Sequence, residues 1–320
     1  TGVPLVGTLV NDSYSPIAWT DKKGFKYKLV YWLDRLTAGI PIHWIANAQA
    51  LADSHVKTLW IEPDKISVVY RGRPLVHTPR SVSPQTGISG SISQLTGESH
   101  SVASEDLPKR QEGASNGQRS RNLISSPRSV SSPTETTIKN FISYGRFLER
   151  KGFQDAIRSF DKVHKTYPDC TLTIFGEGPY RINLESLTQE LDLQDSVFLP
   201  GKIPNPMDLL ISNWKGHRTS DIGHPTSFHC FLFPSWYEGF SGALVEAMMA
   251  GIPIIASNIP MNLEAVEDQK TALIFPVQDA DALAQKMLWA IENPEAMKAL
   301  GTQSRKVGEE RFNIEKIAMQ

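Results

Sequence analysis

Two glutamates, Glu238 and Glu246, with seven residues between them, lie in FLFPSWYEGFSGALVEAMMAGIPIIAS, residues 231–257. The apolar run Phe231–Phe233 reads as a strand ending at Pro234-Ser235. A turn carrying Glu238 follows, then a helix carrying Glu246, which closes at Gly251-Ile252-Pro253 before a buried strand. In open α/β sheets ligands bind beyond the carboxyl ends of the strands, and free amides at a helix N-terminus favour an anion. Glu238 precedes the helix and can point into such a crevice. Glu246 lies one or two turns into it, too far to share a proton with Glu238. Two spaced carboxylates suit hydroxyl groups along an extended ligand, as on a sugar and on a ribose. The plain alternative is an exposed loop acid and a solvated helix acid.

Arg146 and Lys151 come next. Ser143-Tyr144-Gly145-Arg146 ends one strand, and Lys151-Gly152 opens the following helix. A guanidinium fork and an ammonium at that junction can grip a diphosphate, and Gly145 and Gly152 permit close backbone approach. Gly176-Glu177-Gly178-Pro179 follows a further strand. It lacks the third glycine of a dinucleotide fingerprint, so alone it reads as a plain strand-to-helix turn.

These elements must be held by an alternating strand–helix frame. Strands are expected at Phe141–Tyr144, Thr171–Phe175, Ser196–Leu199, Phe231–Phe233, Ile252–Ala256 and Ala272–Phe275. Helices are expected at Lys151–Tyr167, Arg181–Leu191, Gly242–Ala250 and Ala280–Glu292. The alternation implies a parallel sheet covered on both faces. Residues 206–226, polar and interrupted by Gly and Pro, are expected to form an exposed loop. Upstream, Pro4–Val10 reads as a buried strand, Lys26–Ala38 and Gln49–Lys57 as helices, and Ile42–Ala46 and Ile66–Tyr70 as strands. Residues 77–137 are rich in Ser, Gly, Pro and Gln and poor in large apolar side chains. Such a stretch buries too little surface to offset chain entropy, and disorder is expected. The organisation is therefore an α/β domain over 1–76, a disordered insertion over 77–137 and a second α/β domain over 138–320.

The motif E-G-F-S-G-A-L-V-E-A-M-M-A-G-I-P-I-I-A-S resembles the E-x7-E signature of the group 1 retaining glycosyltransferases. YGRFLERKGFQDAIRSF (144–160), FGEGP (175–179), FLPGKI (198–203) and FPSWYEGF (233–240) follow the same family's order. The resemblance covers roughly 138–312 and is weak over 1–76. It implies a GT-B-like fold of two Rossmann-like parallel-sheet domains. It also implies a nucleotide-diphospho-sugar donor, a sugar, lipid or small-molecule acceptor, and metal-independent transfer with retention of configuration. Arg146 and Lys151 would hold the donor diphosphate and stabilise the leaving group. Glu238 would accept from the donor sugar, and backbone at Gly239, Phe240 and Ser241 would face sugar and phosphate. Glu246 would accept from the ribose. Gly145, Gly176, Glu177 and Gly178 would lie beside the nucleotide, with Leu199–Lys202 bordering the base. The family's N-terminal domain begins with more strands and a glycine-rich loop, which the sequence does not display. With no initiator Met, the first domain is read as incomplete. An epimerase of the same fold, or a nucleotide-sugar-binding chain without activity, would share many of these features.

Composition narrows the field. A formal net charge of −1 implies no polyanionic partner such as nucleic acid. Two cysteines, Cys170 and Cys230, give no disulfide framework and fit a reducing cytosol, with both thiols read as buried and inert. No apolar run reaches membrane-spanning length. Lys22, Lys23, Lys26 and Lys28 with Phe25 and Tyr27 form a basic, aromatic cluster suited to peripheral contact with an anionic membrane, though a solvated helix start explains it as well. Asp279-Ala280-Asp281 imitates a D-x-D metal motif. Its distance from the preceding strand favours helix capping, and no metal site is expected. His217, His224 and His229 have no ligand spacing. The first two read as loop residues and His229 as lying at a strand edge.

Overall fold

The computed structural model describes residues 4–21, 24–75, 137–214 and 227–319. The expected disorder over 77–137 falls, but for Thr137, outside the described residues, as do Lys22, Lys23, His217 and His224.

Strands β1 (Val6–Leu9), β2 (His43–Ala46) and β3 (Ile66–Val68) form a parallel three-stranded sheet with β2 at its centre. Helices α1 (Pro16–Asp21), α2 (Phe25–Thr37) and α3 (Gln49–Leu59) connect them. Strands β4 (Thr137–Tyr144), β5 (Thr171–Phe175), β6 (Val197–Gly201), β7 (Ser227–Phe233), β8 (Ile254–Ser257) and β9 (Leu273–Phe275) form a second sheet. Its order is β6-β5-β4-β7-β8-β9, parallel throughout. Between these strands run α4 (Phe153–Thr166), α5 (Arg181–Glu190), α6 (Pro206–Trp214), α7 (Gly242–Ala250) and α8 (Pro260–Ala265). Helices α9 (Ala280–Glu292), α10 (Pro294–Arg311) and α11 (Ile314–Ile317) follow β9.

The doubly wound order follows from the sequence pattern. Strands such as β5 and β8 are short apolar runs buried on both faces, which a parallel sheet flanked by helices requires. The chain leaves β4 in one direction through β5 and β6, then returns to β7 on its other side. The β4/β7 boundary is thus the topological switch point, where the carboxyl ends of the strands open a crevice. Gly152 fits the turn into α4 only without a side chain. Its φ is 68°, and a Cβ there would stand 2.0 Å from the Pro234 carbonyl oxygen.

The two sheets pack as parts of one compact unit. A single apolar cluster includes Leu9, Ala46 and Leu51 from the first and Phe240, Leu244 and Met248 from the second. The Glu264 carboxylate accepts from the Gln49 and Ala50 amides at 2.8 and 2.9 Å, placing an acid of α8 at the positive end of α3. Tyr70 also donates to Glu264, and burial, reinforced by that carboxylate, pushes its phenol up to about 12. The segment after α10 returns to the first sheet, where Arg73 N donates to Phe312 O at 2.8 Å and Ile314 N to Arg73 O at 3.0 Å.

Several expectations are corrected. β1 is an edge strand with exposed Val6 and Leu9 as its one buried residue, not a buried strand. Pro206–Trp214 is helical rather than loop, with Leu210 fully buried; residues 215–226 lie outside the described residues. His229 is buried within β7, an inner strand, so it is no edge residue. Asp279 does cap a helix: its carboxylate accepts from Ala282 N at 2.8 Å at the start of α9.

Candidate functional site

Three strand ends build the site. After β4 the chain turns through Gly145 and Arg146, and after β5 through Gly176, Glu177 and Gly178. Gly145 N donates to Phe175 O at 3.0 Å, and Phe147 N to Glu177 O at 2.8 Å, so the two loops brace each other. Above them opens a cavity of about 550 Å³, its lining including Tyr144, Gly145, Arg146, Gly176, Glu177, Gly178 and Lys202. Arg146 and Lys202 are exposed, and among the described residues neither has an ion-pair partner. Glu177 instead pairs with Arg181, at 3.2 Å. The cavity therefore presents two uncompensated cations and glycine backbone, a composition that receives an extended anion.

Glu246, on α7, stands behind Tyr144, which lines this cavity. Tyr144 Oη donates to its Oε2 at 2.6 Å, and Arg73 Nε to its Oε1 at 2.6 Å. Burial, with Glu246 beside it, pushes the Tyr144 phenol far up, so it stays a donor. Arg73 lies across the first turn of α7: a Cβ on Gly242 would meet its guanidinium at 2.0 Å. Ser241, at the N-cap of that helix, makes no side-chain cap.

Glu238 is buried and shares none of these partners. It accepts from Lys151, from Ser235 Oγ at 2.9 Å and from Arg150 at 3.4 Å. Its own loop packs on the first sheet. Asp12 N donates to Glu238 O at 3.3 Å, and Phe240 N to Asn47 Oδ1 at 3.1 Å. A Cβ on Gly239 would lie 1.9 Å from the Val10 carbonyl oxygen, so only glycine lets the sheets meet here.

These are loops at the carboxyl end of a doubly wound sheet, closed by a second parallel sheet. Residues 129–307 match the family model of the group 1 glycosyl transferases. The chain belongs to this family. An uncharacterized glycosyltransferase of Haemophilus influenzae is 30% identical over 182 residues, covering 56% of this chain and 46% of that protein. The N-acetyl-alpha-D-glucosaminyl L-malate synthase of Bacillus anthracis is 28% identical over 182 residues, covering 57% and 44%. The chain thus spans less than half the length of these curated relatives. Among solved structures, Anabaena HepE in complex with UDP-glucose superposes with a TM-score of 0.66 at 16% identity, covering 99% of this chain and 70% of that one. The fold is that of the GT-B glycosyltransferases.

Within this member of the family the expected residues divide. Gly145, Arg146, Gly176, Glu177 and Gly178 gather at one cavity, with Glu246 behind Tyr144. Lys151 and Glu238 pair with each other. The Phe240 amide, expected to face the ligand, is taken by Asn47, and its ring is buried among core aromatics, 5.3 Å from Tyr70 and 5.0 Å from Phe312. Arg73 and Tyr144 were not singled out from the sequence as partners of Glu246. Tyr144 was detectable in the S-Y-G-R stretch; Arg73, 173 residues away, carried no local signal. Lys202, expected only within the Leu199–Lys202 stretch bordering the base, lines the cavity together with Arg146.

Among the described residues no group of three or more His, Cys, Asp and Glu side chains gathers as metal ligands. No helix of the described residues is long and apolar enough to cross a membrane. Both cysteines are free and buried, and burial pushes Cys170 up to about 11 and Cys230 further.

Proposed function

We propose that this chain transfers a sugar from a nucleotide-diphospho-sugar donor to a sugar, lipid or small-molecule acceptor, with retention of configuration and without a metal. The cavity at the ends of β4 and β5 carries this reading, because Arg146 and Lys202 stand there uncompensated beside three glycines. The diphosphate lies against Arg146, Lys202 and the backbone of Gly145, Gly176 and Gly178. Glu246, held by Tyr144 and Arg73, retains acceptor capacity for ribose hydroxyls. Lys151 serves the diphosphate after exchanging its Glu238 partner, and Glu238, freed towards the crevice, accepts from the donor sugar. Gly239 and Ser241 border that sugar. Fixed cations stabilise the nucleoside diphosphate as its bond to the anomeric carbon breaks, which is the charge a divalent ion would otherwise meet. HepE's complex with UDP-glucose supports a nucleotide-sugar class of donor.

The test is calorimetric titration of UDP-, GDP- and ADP-sugars, with and without magnesium, into the wild type and Arg146→Ala. Metal-independent binding of one nucleotide class, weakened in the variant, is expected. A folded wild type that binds none of them, or a variant that binds as well, ends the donor reading. Interconversion of the bound sugar without transfer would favour an epimerase.

We also propose that the protein is cytoplasmic and touches an anionic membrane surface through α2. No residue of that helix is buried, and Phe25 is 82% exposed beside Lys26 and Lys28. Vesicles containing phosphatidylglycerol should retain the wild type and lose Lys26→Glu/Lys28→Glu; equal retention rules the contact out.

A further inference from the structure

Glu246 is held by two donors from distant parts of the chain. Tyr144 Oη, at the end of β4, reaches its Oε2, and Arg73 Nε, just beyond β3, reaches its Oε1, each at 2.6 Å. Neither donor occupies both oxygens. An arginine that simply braces a carboxylate grips it with two parallel hydrogen bonds. Arg73 instead directs its Nη1 to the Gly72 carbonyl oxygen, at 3.1 Å, and its Nη2 lies over Gly242 at the start of α7. A carboxylate offers about four acceptor positions on its two oxygens. Here one is taken on each oxygen, so one is left on each, and 16% of the Glu246 side chain stays open to solvent. That arrangement matches two neighbouring hydroxyls, one to each oxygen, as in a vicinal diol.

The seat of Arg73 is fixed at both ends. Its backbone is clamped by the segment after α10, since its N–H donates to Phe312 O and its carbonyl accepts from Ile314 N. A Cβ on Gly72 would stand 2.7 Å from Ile314 Cα, so the two segments meet backbone to backbone. At the far end, Gly242 opens α7 with a helical backbone that any residue adopts, and conformation does not call for glycine there. What the missing side chain provides is room, because a Cβ would lie 2.0 Å from Arg73 Nη2. A cation at the N-terminus of a helix is electrostatically disfavoured. The guanidinium is therefore kept in place by its clamped root and by Glu246, not by α7.

We propose that Arg73 is a positioning residue for the nucleotide. Carried in from beyond β3, it turns the Glu246 carboxylate so that the two remaining acceptor positions meet a vicinal diol, and it thereby sets a preference for ribose over deoxyribose. The proposal rests on the nucleotide-sugar reading above for the identity of the diol. Selection at the sugar end of the nucleotide then depends on a side chain that follows the smaller sheet and is rooted in the segment after α10, as well as on the larger sheet.

The experiment titrates UDP, GDP and ADP into the full chain by calorimetry, then the 2′-deoxy and 3′-deoxy forms of whichever binds. Ribose and deoxyribose forms share one base and one diphosphate, so the ratio of their affinities reads the diol alone. The wild type prefers the ribose form by at least about tenfold, the size of one lost hydrogen bond to a charged group. Arg73→Met narrows the ratio to about twofold or less. Because that variant strands the Glu246 charge, Gly242→Ala decides if Arg73→Met does not fold. Its added Cβ displaces the guanidinium while both charges stay, and it narrows the ratio as well. A wild-type preference that persists in every folded variant overturns the proposal and leaves the donor reading intact. Tighter nucleotide binding by Arg73→Met also overturns it, since Arg73 would then block the diol rather than prepare for it. A wild type that binds a nucleotide without distinguishing its ribose overturns the proposal together with the ribose role of Glu246. A folded wild type that binds no nucleotide removes the donor reading and the proposal with it.

Discussion

The two sheets of this chain are built from the same strand–helix alternation, yet they use it differently. In the six-stranded sheet all four residues of β8 are buried, as are four of the five in β5. In the three-stranded sheet β1 and β2 each bury one residue of four, and α2 buries none. The first sheet's buried residues, Leu9, Ala46 and Leu51, belong to a cluster completed by Phe240, Leu244 and Met248 of the second. The larger sheet thus holds its own core and carries the donor cavity. The smaller one has little core of its own and contributes the Asn47 and Arg73 side chains and the Asp12 backbone amide to a site framed elsewhere. A rigid half supplies the cradle, and a half with little core of its own supplies the adjustable contacts.

The largest effect should come from testing which half holds the core. Phe231 is fully buried, with ring centroids 5.2 Å from Tyr144 and 6.3 Å from Phe233. Phe231→Ala should cost about 3–5 kcal/mol in denaturant unfolding, whereas Trp32→Ala on α2, where the ring is half exposed, should cost less than about 1 kcal/mol. Comparable losses would mean that Trp32 packs as firmly as a core residue and that the contrast is false.

The two buried histidines sharpen the comparison through pH. Burial pushes His229 in β7 down to about 4 from its ordinary 6.5, and its Nδ1 has no partner among the described residues. Above pH 6.5 the ring is neutral in both folded and unfolded chains. Between 6.5 and 4 the unfolded chain takes up a proton that the folded one refuses, so stability falls as pH falls, by about 3 kcal/mol over the window. Burial also lowers His55 in α3, but there Leu51 O, 2.9 Å from Nδ1, opposes the shift. Asp155 works in the other direction, since burial raises its carboxyl and the folded state gains a proton first as pH drops. Chemical-denaturation midpoints between pH 4 and 7 should therefore flatten more in His229→Gln than in His55→Gln. Equal slopes would place the pH sensitivity outside β7.

The sequence made these two halves unequally legible. In the larger sheet, short apolar runs bounded by Gly and Pro located every strand to within a few residues, because burial on both faces leaves a continuous hydrophobic signature. Helix α10 escaped notice although Pro294 follows Asn293, a helix-start signal. Its packing face uses small residues, with Gly301 against the Gly251 carbonyl and Gly308 against Met248, rather than an apolar stripe. At the site, the glycines and Arg146 were readable because strand-end loops keep their chemistry local. The partners of Glu246 and of the Phe240 amide were not, because Arg73 and Asn47 arrive from the other sheet, and no local pattern encodes contacts at a sequence separation of 173 or 193 residues.

The smallest and most discriminating effects concern two cations that the sequence treated alike. Lys151 is largely buried against Glu238, which also accepts from Ser235 and Arg150; Arg146 stands exposed over the cavity with no ion-pair partner among the described residues. Truncating one partner of a buried pair strands the other charge, and the remaining donors soften that cost. Lys151→Ala should therefore lose about 2 kcal/mol of stability, and adding Glu238→Gln should recover part of it. Arg146→Ala should leave the unfolding midpoint unmoved and weaken UDP binding by about tenfold, an effect that shrinks as salt rises because the cation is open to solvent. The outcomes separate a cation that builds the site from one that serves its ligand. If Lys151→Ala is as stable as wild type, the ion pair with Glu238 is not holding the loop, and Lys151 and Arg146 act on the ligand as one pair, as their spacing alone suggested.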